Sequence, residues 1–188
     1  MALETTFAEL QQQLRTLQEA LEALGTTVDE DRPKQDDVIV ATRLSDDLLA
    51  ARGLLEDTLA AADDACHAAS YPLNAERARR ALIVCQQHFQ RFAHVFAFEL
   101  AGHIRFDDLA SVARERGRGW AEWVSVVSQA LEQGAASVEE ITDTLFRCWE
   151  RLAARLATGT VSIQNTTIGQ VSAARLRERA APRGDGAP

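Results

Sequence analysis

Lysine is nearly absent from this chain: Lys34 is the only one, and every other basic residue apart from histidine is an arginine. Together with abundant alanine, this usage is typical of a GC-rich bacterial genome. Long apolar runs are also missing. No uncharged apolar stretch approaches the ~20 residues that a transmembrane helix needs, which excludes an ordinary membrane-spanning segment.

Cysteines are too few and too scattered for a disulfide framework. Cys66, Cys85 and Cys148 each fall within an apolar helical pattern, and an odd number cannot pair completely. The first residues have neither the basic nor the apolar segment of a secretory signal. We therefore expect a reducing environment and a cytoplasmic protein.

The balance of charge is acidic. The formal net charge is −8 at pH 7, with 26 % charged and 46 % hydrophobic residues. A net negative field repels phosphate backbones and anionic headgroups, so neither nucleic acid nor membrane is expected as a general partner. The hydrophobic fraction is that of an ordinary globular protein with a core.

Catalytic signatures are missing as well. There is no Gly-x-Ser-x-Gly, and the glycines of residues 116–120 follow no predicted strand, so they do not form a phosphate-binding loop. The sequence therefore predicts no enzyme, no catalytic residue and no cofactor.

Apolar side chains recur at alternating spacings of four and three near the start of the chain (Leu3, Phe7, Leu10, Leu14, Leu17, Leu21 and Leu24). This seam predicts a coiled-coil-like helix over residues 1–25 that ends at Gly25. Two interpretations remain open. The helix is the first of an intramolecular bundle, or it binds a partner or a second copy through Leu10, Leu14, Leu17 and Leu21.

Residues 26–35 are polar and acidic and contain Pro33, which predicts a linker. Residues 36–158 carry helical apolar patterns and predict an all-α bundle of about four core helices. Asn74 is expected to cap the third helix of the chain. Gly117 and Gly119 are expected to break the fourth helix, and Gly134 to end it. A fifth helix should then begin at Ser137.

One stretch of the bundle combines arginine, glycine and tryptophan. Arg116, Arg118 and Trp120 are predicted to form a cationic patch flanked by an aromatic ring, which would accept an acidic peptide or a phosphate. The alternative is a corner between helices with its arginines in solvent.

The last 30 residues, 159–188, are predicted to form an extended or disordered tail. Residues 160–171 are β-branched and amide-rich and contain no charge; Val161, Ile163 and Ile168 are the apolar members predicted to dock, and Val171 ends the stretch. This is strand-like chemistry in a chain that offers no second strand. The segment either folds back along the bundle as an extended strap or pairs with a sheet edge in a partner or in copies of itself.

The leading hypothesis is a non-enzymatic protein–protein interaction module, an adaptor or accessory subunit of a bacterial assembly, with homo-oligomers as one form of partner. It would dock through the N-terminal seam and the C-terminal segment. One alternative is a ligand- or metal-binding bundle, or an enzyme, that uses Cys85, His88 and Glu99 of the Phe-rich central helix. Another is a membrane-active helical effector.

Overall fold

The structure is a computed structural model, and it describes residues 2–33, 39–70, 73–105 and 108–157. The described residues fold into α-helices: α1 (Leu3–Asp29), α2 (Ile39–Ala69), α3 (Ala75–Val95), α4 (Gly102–Arg105), α5 (Asp108–Arg116) and α6 (Arg118–Ala157). A π-helical turn, Phe96–Leu100, follows α3 directly. The predicted all-α bundle is confirmed.

Four long helices build the bundle around one apolar core. α1 packs against both α2 and α6, and α2 also packs against α3. α3 lies much more extensively on α2 than on α6. The short helix α5 folds back onto α6. One continuous cluster of buried apolar residues runs through all four long helices.

α1 does not end at Gly25 as predicted but continues to Asp29. Gly25 is buried beside Arg52 of α2, and Leu24 and Val28 on either side of it are buried as well. Packing of these two side chains outweighs the ~1 kcal/mol by which a mid-helix glycine is less favourable than alanine. The indole of Trp123 donates a 3.0 Å hydrogen bond to the Thr27 carbonyl oxygen in the last turn.

The beginning of α3 agrees with its predicted cap. The Asn74 side-chain oxygen accepts a 3.0 Å hydrogen bond from the Arg77 backbone N–H, which satisfies one of the free donors of the first turn. At its other end α3 widens into the π-helical turn, where the Ala101 backbone N–H donates to the Phe96 carbonyl oxygen five residues earlier. A π-turn inserts one residue into the helical pattern and so rotates the next helical segment about the axis.

The break predicted near residues 117–119 is confirmed, and it lies at Gly117. This glycine has φ of 90°, a left-handed conformation that other residues rarely adopt, and it separates α5 from α6. The predicted helix end at Gly134 and helix start at Ser137 are wrong, since α6 is continuous from Arg118 to Ala157. The Ser137 hydroxyl donates within the helix to the Gln133 carbonyl oxygen, at 3.2 Å.

Gly134 has a packing role. A Cβ atom at this position would lie 2.6 Å from Cζ of Phe96, which begins the π-turn. The missing side chain therefore provides the space in which the Phe96 ring contacts α6. Because Phe96 is itself almost fully buried, the glycine allows the π-turn to pack closely against α6.

The α1–α6 interface contains a polar cluster near the beginning of α1. Arg147 donates to the Glu9 carboxylate at 3.0 Å and to the Thr144 hydroxyl at 2.7 Å. Arg151 donates to the Thr6 hydroxyl, and both threonines are fully buried. Buried polar groups need matching partners, so these bonds fix how α1 and α6 align along their length.

Candidate interaction surfaces

The N-terminal seam lies inside the bundle. Leu10, Leu14, Leu17 and Leu21 are all nearly inaccessible to solvent, and their helix packs on α2 and α6. The structure thus supports the intramolecular interpretation of the heptad pattern. These four leucines do not form an open docking face, because the bundle itself provides the partner helices that an a/d seam requires.

The predicted arginine–tryptophan patch is only partly at the surface. Trp120 is 3 % exposed and packs edge-to-face on Trp123, with ring centroids 5.5 Å apart. Its assignment to a surface patch is therefore wrong: the ring serves the core. Arg116 and Arg118 are exposed, and Arg118 forms a 2.9 Å ion pair with Glu122 one turn along α6. These two arginines form a corner between α5 and α6, as the alternative interpretation has it.

Three predicted docking residues, Val161, Ile163 and Ile168, lie outside the described residues. Their segment follows α6, whose last described residue is Ala157.

The central helix does not bring Cys85, His88 and Glu99 together. Cys85 is fully buried in the core, whereas Glu99 is exposed in the π-turn, about 20 Å further along the helix axis. His88 has a buried Nδ1 atom with no hydrogen-bond partner in the described part of the chain. Within residues 2–33, 39–70, 73–105 and 108–157, no three His, Cys, Asp or Glu side chains are grouped so that they could hold a metal.

The three cysteines are free thiols of unequal exposure. Burial raises the pKa of the Cys85 thiol to about 12. Burial is also the main reason that the pKa of Cys148 is raised to about 12. Cys66 is half-buried, and its pKa is raised by burial and then by the neighbouring Asp63 carboxylate. A thiol must lose its proton to act as a nucleophile, so Cys85 and Cys148 are inert in the folded chain.

We expect iodoacetamide to alkylate Cys66 of the folded chain well before Cys85 and Cys148. At any pH below 9, a pKa of about 12 lowers the thiolate fraction roughly a thousandfold relative to an ordinary thiol, and burial adds to this. Raising the pH from 7 to 9 should therefore accelerate alkylation of all three cysteines in the unfolded chain. In the folded chain, Cys85 and Cys148 should stay protonated and unreactive over the same pH range. Peptide mass spectrometry with and without guanidinium measures this. Rapid alkylation of Cys85 or Cys148 in the folded chain would contradict it.

A histidine–aspartate contact joins α4 to α2. His103 Nε2 lies 2.9 Å from Asp47 Oδ2, and the histidine side chain is 8 % exposed. The π-turn lies just before α4, and its extra residue changes the direction in which His103 enters the bundle. The pair ties this irregular segment to the first half of α2. Asp47 and His103 are 56 positions apart, so no local sequence pattern links them.

An exposed phenylalanine marks a row of uncharged residues along α6. Seven uncharged residues recur there at spacings of three and four, and we call them the α6 stripe: Ala135, Val138, Thr142, Phe146, Trp149, Ala153 and Leu156. They lie within about a quarter of the helix circumference. Phe146 is 64 % exposed, whereas Trp149 is half-buried and its indole donates a 2.8 Å hydrogen bond to Gln86 of α3. The stripe therefore borders the contact between α3 and α6.

Sequence reasoning missed the α6 stripe. The sequence does contain a signal for it: between residues 135 and 156, the positions of the stripe, three and four residues apart, contain no charged residue. Which side of that helix would lack a neighbour depends on the packing of α3, which no local pattern gives.

Comparison with protein-family models, with curated proteins and with solved structures finds no match to this chain. Among the described helices, none is both long and apolar enough to cross a membrane.

Proposed function

We propose that this chain is a non-enzymatic protein–protein interaction module, an adaptor or accessory subunit, that docks a protein partner through its C-terminal end. The observation that carries the proposal is the α6 stripe. An exposed phenylalanine within a row of uncharged residues, bordered by charged ones, is the kind of surface that binds another polypeptide.

The composition of the residues that follow α6 also favours docking at the C-terminal end of the chain. No charged residue occurs between Arg155 and Arg175, and this interval contains Val161, Ile163 and Ile168. Such a segment favours pairing through its backbone and its alternate side chains. The N-terminal seam contributes stability rather than docking in this proposal, because its leucines are buried.

Site-specific photocrosslinking in cells of the source organism tests the proposal. p-Benzoylphenylalanine replaces Phe146, an exposed aromatic position, in the full chain. We expect ultraviolet light to produce a discrete adduct with another polypeptide, either a different protein or a second copy. Mass spectrometry of the adduct identifies it.

The matched control places the same residue at Leu49 of α2, which is 70 % exposed and lies on a different helix. Adducts with other polypeptides should be absent or much weaker there. Equal adducts at both positions would indicate random collision. No adduct with another polypeptide at position 146 would contradict docking through the α6 stripe.

A further inference from the structure

We propose that the α6 stripe is covered, in the chain on its own, by the chain's own residues 160–171, which a docking partner must displace. This inference rests on the proposed function, and it assigns a regulatory contact to the same surface.

The place where α6 ends is the first argument. Leu156 is the last member of the α6 stripe, and residues 160–171 begin four residues later. A short connection of this length is sufficient to reverse the chain, since each residue spans up to ~3.5 Å. The segment therefore starts beside the surface that it would cover, and a second polypeptide would have to compete with a tethered neighbour.

Length is the second argument. The stripe extends along α6 from Ala135 to Leu156, which is about 32 Å at a rise of ~1.5 Å per residue. Twelve residues in extended conformation span about 40 Å at ~3.3 Å each. Residues 160–171 running antiparallel to α6 thus match the whole stripe.

The chemistry of the two surfaces agrees. Residues 160–171 contain no charge, and neither do the seven residues of the stripe, so direct contact would join uncharged side chains, with exposed Glu139, Asp143 and Glu150 of α6 at the border of the stripe. Val161, Ile163 and Ile168 would cover Phe146 and the neighbouring half-buried side chains. Water would satisfy the hydrogen-bonding groups along the edge of the segment backbone that faces solvent.

The charges that follow residues 160–171 also favour an antiparallel return along α6. Phe96 against Gly134 and Gln86 against Trp149 show that α3 and α6 run antiparallel. By this register, exposed Glu99 and exposed Glu132 stand at the same level, just past the far end of the stripe. Residues 175–179 follow the segment and contain three arginines and one glutamate, Glu178, so an antiparallel return brings this net positive stretch to the same end of the bundle as the two carboxylates.

Hydrogen–deuterium exchange of the full-length chain, measured by mass spectrometry, tests the inference. We expect the backbone amides of residues 160–171 to exchange about tenfold or more slowly than those of a synthetic peptide of that sequence. Phe146→Asp and, independently, Thr142→Glu should return them to the peptide rate, because both place a charge on the stripe. Both side chains are exposed, and circular dichroism verifies that each variant is folded. Leu49→Asp is the control and should leave the slow exchange unchanged.

The outcomes distinguish coverage within one chain from coverage by a second copy and from a segment that lies elsewhere. Slow exchange that is equal at two widely separated protein concentrations supports coverage within one chain. Slow exchange that develops only at the higher concentration indicates a second copy and overturns the inference, as does exchange at the peptide rate in the unmodified chain. Slow exchange that survives both stripe variants places the segment elsewhere and also overturns it.

This experiment uses the isolated chain and needs no partner. Crosslinks to another polypeptide without slow exchange would count against the covering segment alone. Slow exchange without such crosslinks would count against the proposed function alone.

Discussion

Replacing Phe96 by alanine is expected to lower the free energy of unfolding by about 3–5 kcal/mol, the range for removing a buried aromatic side chain. The ring is 2 % exposed, contacts the Phe92 ring with centroids 5.9 Å apart, and fills the space left by Gly134. Its loss leaves a cavity between the π-turn and α6 that rigid helices cannot close. Urea denaturation followed by circular dichroism measures the change.

Gly134 is the other residue of this contact, and its substitution should change the free energy of unfolding in opposite directions with and without the Phe96 ring. Gly134→Ala alone is expected to destabilise the chain by about 1–2 kcal/mol, because overpacking outweighs the gain in helix propensity. In the Phe96→Ala background the ring is gone, so the same substitution should stabilise the chain by about 1 kcal/mol or more.

Gly53→Ala is the matched control for that reversal. Gly53 is an exposed glycine in the middle of α2, and a Cβ there meets nothing within 4 Å. It should stabilise both backgrounds by up to ~1 kcal/mol. If Gly134→Ala were to stabilise the unmodified chain as Gly53→Ala does, the close contact with Phe96 would be wrong.

Leu14→Ala is expected to lower the free energy of unfolding by about 2–5 kcal/mol, and by the same amount at every protein concentration. Leu14 is fully buried in the middle of α1, between α2 and α6. A seam within one chain contributes to a unimolecular equilibrium. A seam between two chains would make both the midpoint and the effect of the substitution depend on concentration.

Glu19→Ala serves as the control for Leu14→Ala, since this exposed residue lies on the same helix. Its effect should remain within about 0.5 kcal/mol. Midpoints that rise with protein concentration, together with a Leu14→Ala effect that varies with it, would restore the dimerising interpretation of the seam.

Much of the bundle follows from local patterns. The leucines of α1 recur with the period of a helix, the Asn74 side chain caps α3, and Gly117 breaks the chain where its backbone is left-handed. Each of these features depends on a few neighbouring residues. Local sequence therefore determines them, and they could be predicted.

The errors came from glycines whose role is tertiary. Gly25 and Gly134 were expected to end helices because glycine is a weak helix former. Both instead lie within continuous helices, and Gly134 accepts the ring of Phe96, 38 positions earlier in the chain. Trp120 was placed at the surface because arginines precede it, and local sequence does not show that the bundle buries its ring.

The candidate surface was only partly predictable. The uncharged character of residues 160–171 is plain from composition, whereas the α6 stripe becomes a surface only because α3 leans toward α2. Likewise, the contact between Asp47 and His103 joins residues 56 positions apart. Such features need the relative placement of whole helices, which periodicity does not supply.

The hydrogen bonds between α1 and α6 have a consequence for how the chain is made. Thr6 and Arg151 are 145 positions apart, so α1 emerges from the ribosome long before the helix that completes its burial. At about 5–20 residues per second, the delay is roughly 7–30 s. During that time the leucine row of α1 lacks one of its two flanking helices, and a nascent chain of this protein should be a substrate for chaperones that bind exposed leucine.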